Sequence, residues 1–161
     1  MNHHSDFEFD PKKIHLTDFG VSHIVRLPND SGGVNIVPGC VQYLAPEFRH
    51  FKTVEPTTMS DMWTVGCIGY EMCMGVTLTT DAECFQEIEA HVQGQPLDLR
   101  RVPERFGQPV CFVIQGCMET APEKRITAAK LAEDLRALLH LMKYGMKDTA
   151  ENNSFLNQTW R

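Results

Sequence analysis

The chain has 161 residues, enough for one domain or a large part of one. Hydrophobic residues make up 42% and charged residues 22%, which supports a packed core rather than a disordered chain. A formal net charge of −6 weighs against nucleic acid as a partner, and no stretch is long or apolar enough to predict a membrane span.

The first ten residues, MNHHSDFEFD, have neither a basic start nor an apolar run, so they do not read as a secretory signal. Six cysteines are present, none in a Cys-x-x-Cys pair, which argues against zinc ribbons and redox motifs. Without a signal, reduced thiols and an intracellular setting, cytoplasmic or nuclear, are expected.

Residues 1–12 read as a lead-in. From Ile14 to Asp18, apolar Ile14 and Leu16 alternate with His15 and Thr17, which predicts a short strand pair at the N-terminus. Gly20 breaks the pattern, and the density of Gly, Pro, Asn and Asp from 21 to 44 predicts a long irregular loop. Ser60 to Met74 is apolar nearly all round, so a core helix is expected, with Ser60 as N-cap and Gly75 as stop. Thr80 to Glu83 has capping-box spacing ahead of Phe85, Ile88 and Val92, and Gly94 ends that run. Residues 95–109 read as a Pro- and Arg-rich loop, and 110–118 as a short apolar helix closed by Pro122. Thr127 is expected to cap a last helix with Leu131, Leu135, Leu138 and Met142 on one face. Residues 143–161 read as a loose tail.

Four short motifs stand in this frame. Asp18-Phe19-Gly20 follows the strand, and Ala45-Pro46-Glu47 comes 27 residues after Asp18 at the far end of the loop. Asp61-x-Trp63-Thr64-x-Gly66 opens the buried helix, and Pro122-Glu123-Lys124-Arg125 precedes the last one. Any one of them alone is weak. Their order and spacing together resemble the C-terminal lobe of a protein-kinase domain of the Ser/Thr class, from just before Asp-Phe-Gly to the final helices, over residues 13–142. The implied fold is mainly α, with a short β-strand pair at the N-terminus.

The resemblance implies the following roles. Asp18 would hold magnesium against the phosphates of ATP, a task that suits a hard carboxylate oxygen. Phe19, Gly20, Cys40, Tyr43, Ala45, Pro46 and Glu47 would belong to the activation segment, in which residues 41–44 resemble a peptide-docking loop. Glu47 and Arg125 would form a buried ion pair tying that segment to the lobe. Asp61, Trp63 and Gly66 would be structural, Asp61 as a carboxylate at a helix start. Cys40 departs from the pattern, which has Thr there; a thiol is a weaker donor than a hydroxyl.

The 161 residues contain no Gly-rich phosphate loop, no strand Lys with its helix Glu, and no His-Arg-Asp catalytic loop. No catalytic residue is therefore assigned in this chain. The expectation is a partial kinase domain whose parent activity is ATP-dependent phosphorylation of protein Ser or Thr. ATP and Mg2+ belong to the parent family and are not expected to bind this chain alone. The alternative is a non-catalytic, pseudokinase-like interaction or scaffold module. Expected partners are a protein substrate, or a partner kinase or scaffold; nucleic acid and membrane are not expected.

Overall fold

The computed structural model describes residues 14–19, 22, 40–50, 56–102 and 107–144; for 50 and 141–144 it describes the backbone alone. The lead-in, Gly20, most of the 21–44 loop and residues 145–161 lie outside the described residues. Residues 14–18 form no strand ladder among the described residues, and those ahead of them that would complete a strand pair lie outside. The described fold is mainly α, as expected. After a 3-10 turn at Val41–Tyr43 come α1 (Pro46–His50), α2 (Thr58–Met74), α3 (Ala82–Val92) and α4 (Gly107–Cys117). A second 3-10 turn at Pro122–Lys124 leads to α5 (Ala128–Tyr144).

Helix α2 is the centre of the molecule. Its N-cap is Thr57, not Ser60: the Thr57 hydroxyl accepts from the Ser60 amide at 3.4 Å, and the Ser60 hydroxyl accepts from the Thr57 amide at 3.2 Å. Ser60 is the third helical residue of a reciprocal capping box, so the cap lies three residues earlier than expected. Gly75 ends it in the left-handed region at φ 72°, as expected. Trp63, Cys67 and Tyr70 are fully buried and gather Ala45, Leu78, Cys84, Ile88, Ile114 and Met118 into one core. A second cluster joins Met62 of α2 to Val113 and Cys117 of α4. The approach of α2 to α4 is set by Gly66: a Cβ there would lie 2.5 Å from Met118 Cγ and 2.8 Å from Cys117 Cβ.

The N-cap of α3 is Asp81 rather than Thr80. The Asp81 carboxylate accepts from the Cys84 amide at 2.9 Å, while the Thr80 hydroxyl donates back to the Thr77 carbonyl. Helix α4 begins at Gly107, ahead of the expected 110, because Pro109 sits in the first turn, where a missing N–H costs nothing. The loop from 95 to 102 was legible as a loop, yet it sends Leu97 and Val102 into the core. Thr127 caps α5 as expected, accepting from the Lys130 amide at 3.2 Å. The expected apolar face of α5 is only partly used. Leu131 packs on Met62, Val113 and Cys117, whereas Leu135 is exposed. The buried residue beside it is Asp134, held by Lys130 Nζ at 2.6 Å.

Among the described residues, α2 is not covered on every side. Val65, Ile68 and Met72, at helical spacing, face outward, Met72 at 74% exposure. With Val110, Val113, Leu131 and Leu135 they line an apolar groove of about 410 Å³. No helix among the described residues is long and apolar enough to cross a membrane.

Candidate functional site

The site is built around Arg125. Its side chain is 0% exposed and lies 5.3 Å from the Trp63 ring. Nη1 donates to Glu47 Oε1 at 2.7 Å and to the Met59 carbonyl at 2.9 Å. Nη2 donates to Glu47 Oε2 at 2.6 Å and to the Thr120 carbonyl at 3.2 Å. Nε donates to the Glu119 carbonyl at 2.6 Å. All five guanidinium N–H groups are thereby used, which is the condition for keeping such a cation in a dry interior. His91 of α3 also lies against Trp63, stacked on the indole at 5.8 Å between centroids and 5° between planes. The His91 ring nitrogens meet the Gln95 and Met118 carbonyl oxygens, both at 2.8 Å.

Ala45 and Pro46 are buried at the start of α1, which aims Glu47 inward at Arg125. Ahead of them the turn at residues 41–43 is held from several sides. Tyr43 Oη donates to Glu71 Oε1 of α2 at 2.7 Å, and Thr64 Oγ1 donates to the Tyr43 carbonyl at 3.2 Å. The Glu71 bond, with burial, pushes the Tyr43 phenol up to about 12. Arg49 of α1 folds back over the turn, with Nε donating to the Leu44 carbonyl at 2.9 Å and Nη2 to the Val41 carbonyl at 3.0 Å. Its remaining nitrogen pairs with Glu89 of α3. Burial pulls the Arg49 guanidinium below its ordinary value. Cys40 and Val41 stay exposed on the outer face of the turn.

Asp18 and Phe19 stand apart from this cluster. Both are exposed, Phe19 at 66%. Asp18 is the one non-glycine among the described residues at positive φ, 61°, a conformation that Asp tolerates better than most residues. Magnesium is usually bound by one or two carboxylates together with phosphate oxygens and water, so the Asp18 donor is of the right chemistry. Among the described residues, however, no three His, Cys, Asp or Glu side chains gather to hold a metal ion. Asp61 is exposed in the first turn of α2.

The structure thus brings Glu47, Arg125, Trp63, Gly66, Ala45, Pro46 and Tyr43 into one neighbourhood, with Asp18 and Phe19 outside it. Sequence reading missed Arg49, Glu71, Glu89 and His91. A charged residue within four positions of Glu47 was the only local signal for Arg49; its partner on α3 lies 40 positions further along.

Comparison with known proteins shows the family of the chain. Residues 6–135 match the family model of the protein kinase domain. The serine/threonine-protein kinase PkaB of Streptomyces coelicolor is 28% identical over 127 residues, which is 79% of this chain and 29% of that protein. The MAP kinase kinase PBS2 of Saccharomyces cerevisiae is 33% identical over 129 residues, 74% of this chain and 18% of that protein. Mitogen-activated protein kinase kinase kinase 1 of Arabidopsis thaliana is 29% identical over 119 residues, 73% of this chain and 18% of that protein. The chain therefore spans less than a third of the length of these curated relatives. With the family match covering most of its length and the Glu47–Arg125 pair joining two of the four motifs, the chain belongs to the protein kinase domain family, as a partial domain of Ser/Thr-kinase parentage.

Proposed function

We propose that these residues supply the activation segment and large-lobe helices of a machinery that phosphorylates Ser or Thr in proteins with ATP, and that the 161-residue chain alone does not perform the transfer. The observation that carries this reading is the Glu47–Arg125 pair, which fastens the end of the activation segment to the helical core. The residues at 41–44, held behind by Tyr43, Thr64 and Arg49, suit a surface on which a protein substrate docks. Phosphoryl transfer rests on positioning and electrostatic stabilisation. Asp18 is the group of this chain suited to magnesium. The Lys, catalytic Asp and Gly-rich loop that would hold ATP and accept the substrate proton are not in its sequence. Removing one member of a catalytic unit can already cost about as much as removing all of it. ATP and Mg2+ are accordingly not retained by this chain alone.

The test is labelled-phosphate transfer from ATP to a generic protein substrate by the purified chain. No transfer above the buffer blank is expected. Transfer that vanishes in Asp18→Asn overturns the proposal of inactivity.

A second reading is a non-catalytic module that docks a partner. The apolar groove along Val65, Ile68 and Met72 favours it, since such a surface suits a helix laid into it. Upstream coding sequence for a Gly-rich loop, a strand Lys and His-Arg-Asp would favour the enzyme; its clean absence would favour the module.

A further inference from the structure

The turn at 40–44 is fastened by side chains of two helices, while Cys40 and Val41 are exposed. Its carbonyls at Val41, Tyr43 and Leu44, and the Tyr43 hydroxyl, are all engaged by side chains of α1 and α2. Its outer face carries Val41, 57% exposed. Arg49 makes two of those four links, to the carbonyls at either end of the turn. Its side chain is 10% exposed, and its charge is met by Glu89 from α3.

We propose that Arg49 is the positioning residue of this turn, and that Glu89 makes the shape of the turn depend on the placement of α3. The proposal rests on the reading of residues 41–44 as a docking surface for a protein substrate. The guanidinium is suited to the task because its donors are fixed in a plane. Nε and Nη2 span the two carbonyls while the third nitrogen stays free for Glu89. A lysine ammonium is a single point of charge and cannot bridge the same three acceptors. The coupling to α3 follows from burial. If α3 moves and withdraws Glu89, Arg49 is left as a shielded cation without its counter-charge, a costly state. Arg49 then leaves for solvent, and both carbonyls lose their donor. An event on α3, such as a partner resting there, is thereby read at the face that meets a substrate.

The test is residue-resolved hydrogen exchange on the full chain. The reporters are the Tyr43 and Leu44 amides, which close the turn on the Cys40 and Val41 carbonyls at 3.0 and 3.2 Å. The Met118 amide, bonded to the Ile114 carbonyl at 2.9 Å, is the internal reference for the core. Arg49→Lys and Glu89→Gln are each expected to speed exchange at Tyr43 and Leu44 by about tenfold or more while Met118 holds its rate. Unchanged turn amides, or an equal rise at Met118, overturn the proposal. A second arm measures binding of the same variants to an array of Ser- and Thr-containing peptides. Loss in Arg49→Lys of peptides that the wild-type chain retains supports the positioning role. A wild-type chain that binds none of them, with turn amides still dependent on Arg49, removes the docking function and leaves the clamp.

Discussion

Arg125 grips Glu47 with both arms of its guanidinium, at 2.7 and 2.6 Å, across 78 residues of chain. The Glu47 side chain is itself only 13% exposed. Removing one partner of a buried pair leaves the other charged and unpaired, at a cost of roughly 3–5 kcal/mol. Arg125→Ala should lower stability by about that amount. Arg101 bonds Glu87 and Glu83 at the surface, so Arg101→Ala should shift the melting temperature far less. Equal shifts for the two variants, read by thermal denaturation, would mean the buried pair carries no special weight.

Gly66 and Gly69 lie one helical turn apart on α2 and are expected to respond oppositely to alanine. At Gly66 the new methyl meets Met118 Cγ at 2.5 Å and Cys117 Cβ at 2.8 Å, so α4 must shift. Overpacking of this kind costs about 1–3 kcal/mol. At Gly69 the nearest atom is Ile114 Cγ1 at 3.7 Å, ordinary contact, and alanine gains helix propensity of up to ~1 kcal/mol. Urea midpoints should fall for Gly66→Ala and hold or rise for Gly69→Ala. A Gly66→Ala chain as stable as wild type would show that the α2–α4 approach is not set by that glycine.

These two cases mark what the residues disclosed in advance. Glu47, Trp63, Gly66 and Arg125 were legible because each belongs to a motif whose order along the chain is distinctive. The helices were legible where apolar spacing was dense, and Gly75 and Thr127 marked ends correctly. Caps shifted to Thr57 and Asp81 because neighbouring hydroxyls and carboxylates compete for the same amides, and their local geometry decides. That α2 would keep an uncovered apolar face was legible, because a helix apolar nearly all round needs neighbours on nearly every side; that the face is the one of Val65, Ile68 and Met72 was not, because hydropathy records what a side chain prefers, not which neighbour is present. Arg49 with Glu89 was hidden because a tertiary ion pair leaves no periodic trace.

The groove beside Val65, Ile68 and Met72 has a measurable consequence. Apolar area left in water forfeits about 25 cal/mol per Å², against a typical total margin of about 5–15 kcal/mol. The purified chain should bind an apolar dye and self-associate on a sizing column. Ile68→Glu, at an exposed position lining the groove, should reduce both signals. A sharp monomer peak without dye signal would mean that the chain closes its own core.

Stability should fall in alkali. Burial lifts the Cys67 and Cys117 thiols from 9.0 to about 12, and the Glu71 hydrogen bond, with burial, lifts Tyr43 from 10.0 to about 12. In each case folding favours the protonated form. Above the unfolded-state values the unfolded chain has released protons that the folded chain retains. The stabilisation is complete below pH 9.0 and is lost as pH rises towards about 12. Urea midpoints should be lower at about pH 11 than at about pH 8, with a shallower fall in Cys67→Ala. A flat profile would contradict the burial of these thiols.

The span between Glu47 and Arg125 also orders events during synthesis. Closing a loop of 78 residues costs roughly 4 kcal/mol of chain entropy if nothing within it is yet folded. Three further acceptors for Arg125 are carbonyls of Met59, Glu119 and Thr120, which come together only when the start of α2 and the end of α4 are in place. The pair therefore closes late, on helices already docked. On the ribosome, Glu47 emerges long before its counter-ion is made, and until Arg125 follows, the segment carrying Ala45 and Pro46 waits without its anchor. Translation that stops short of Arg125 would release a chain in which Glu47 has no counter-charge to hold its segment against the helices.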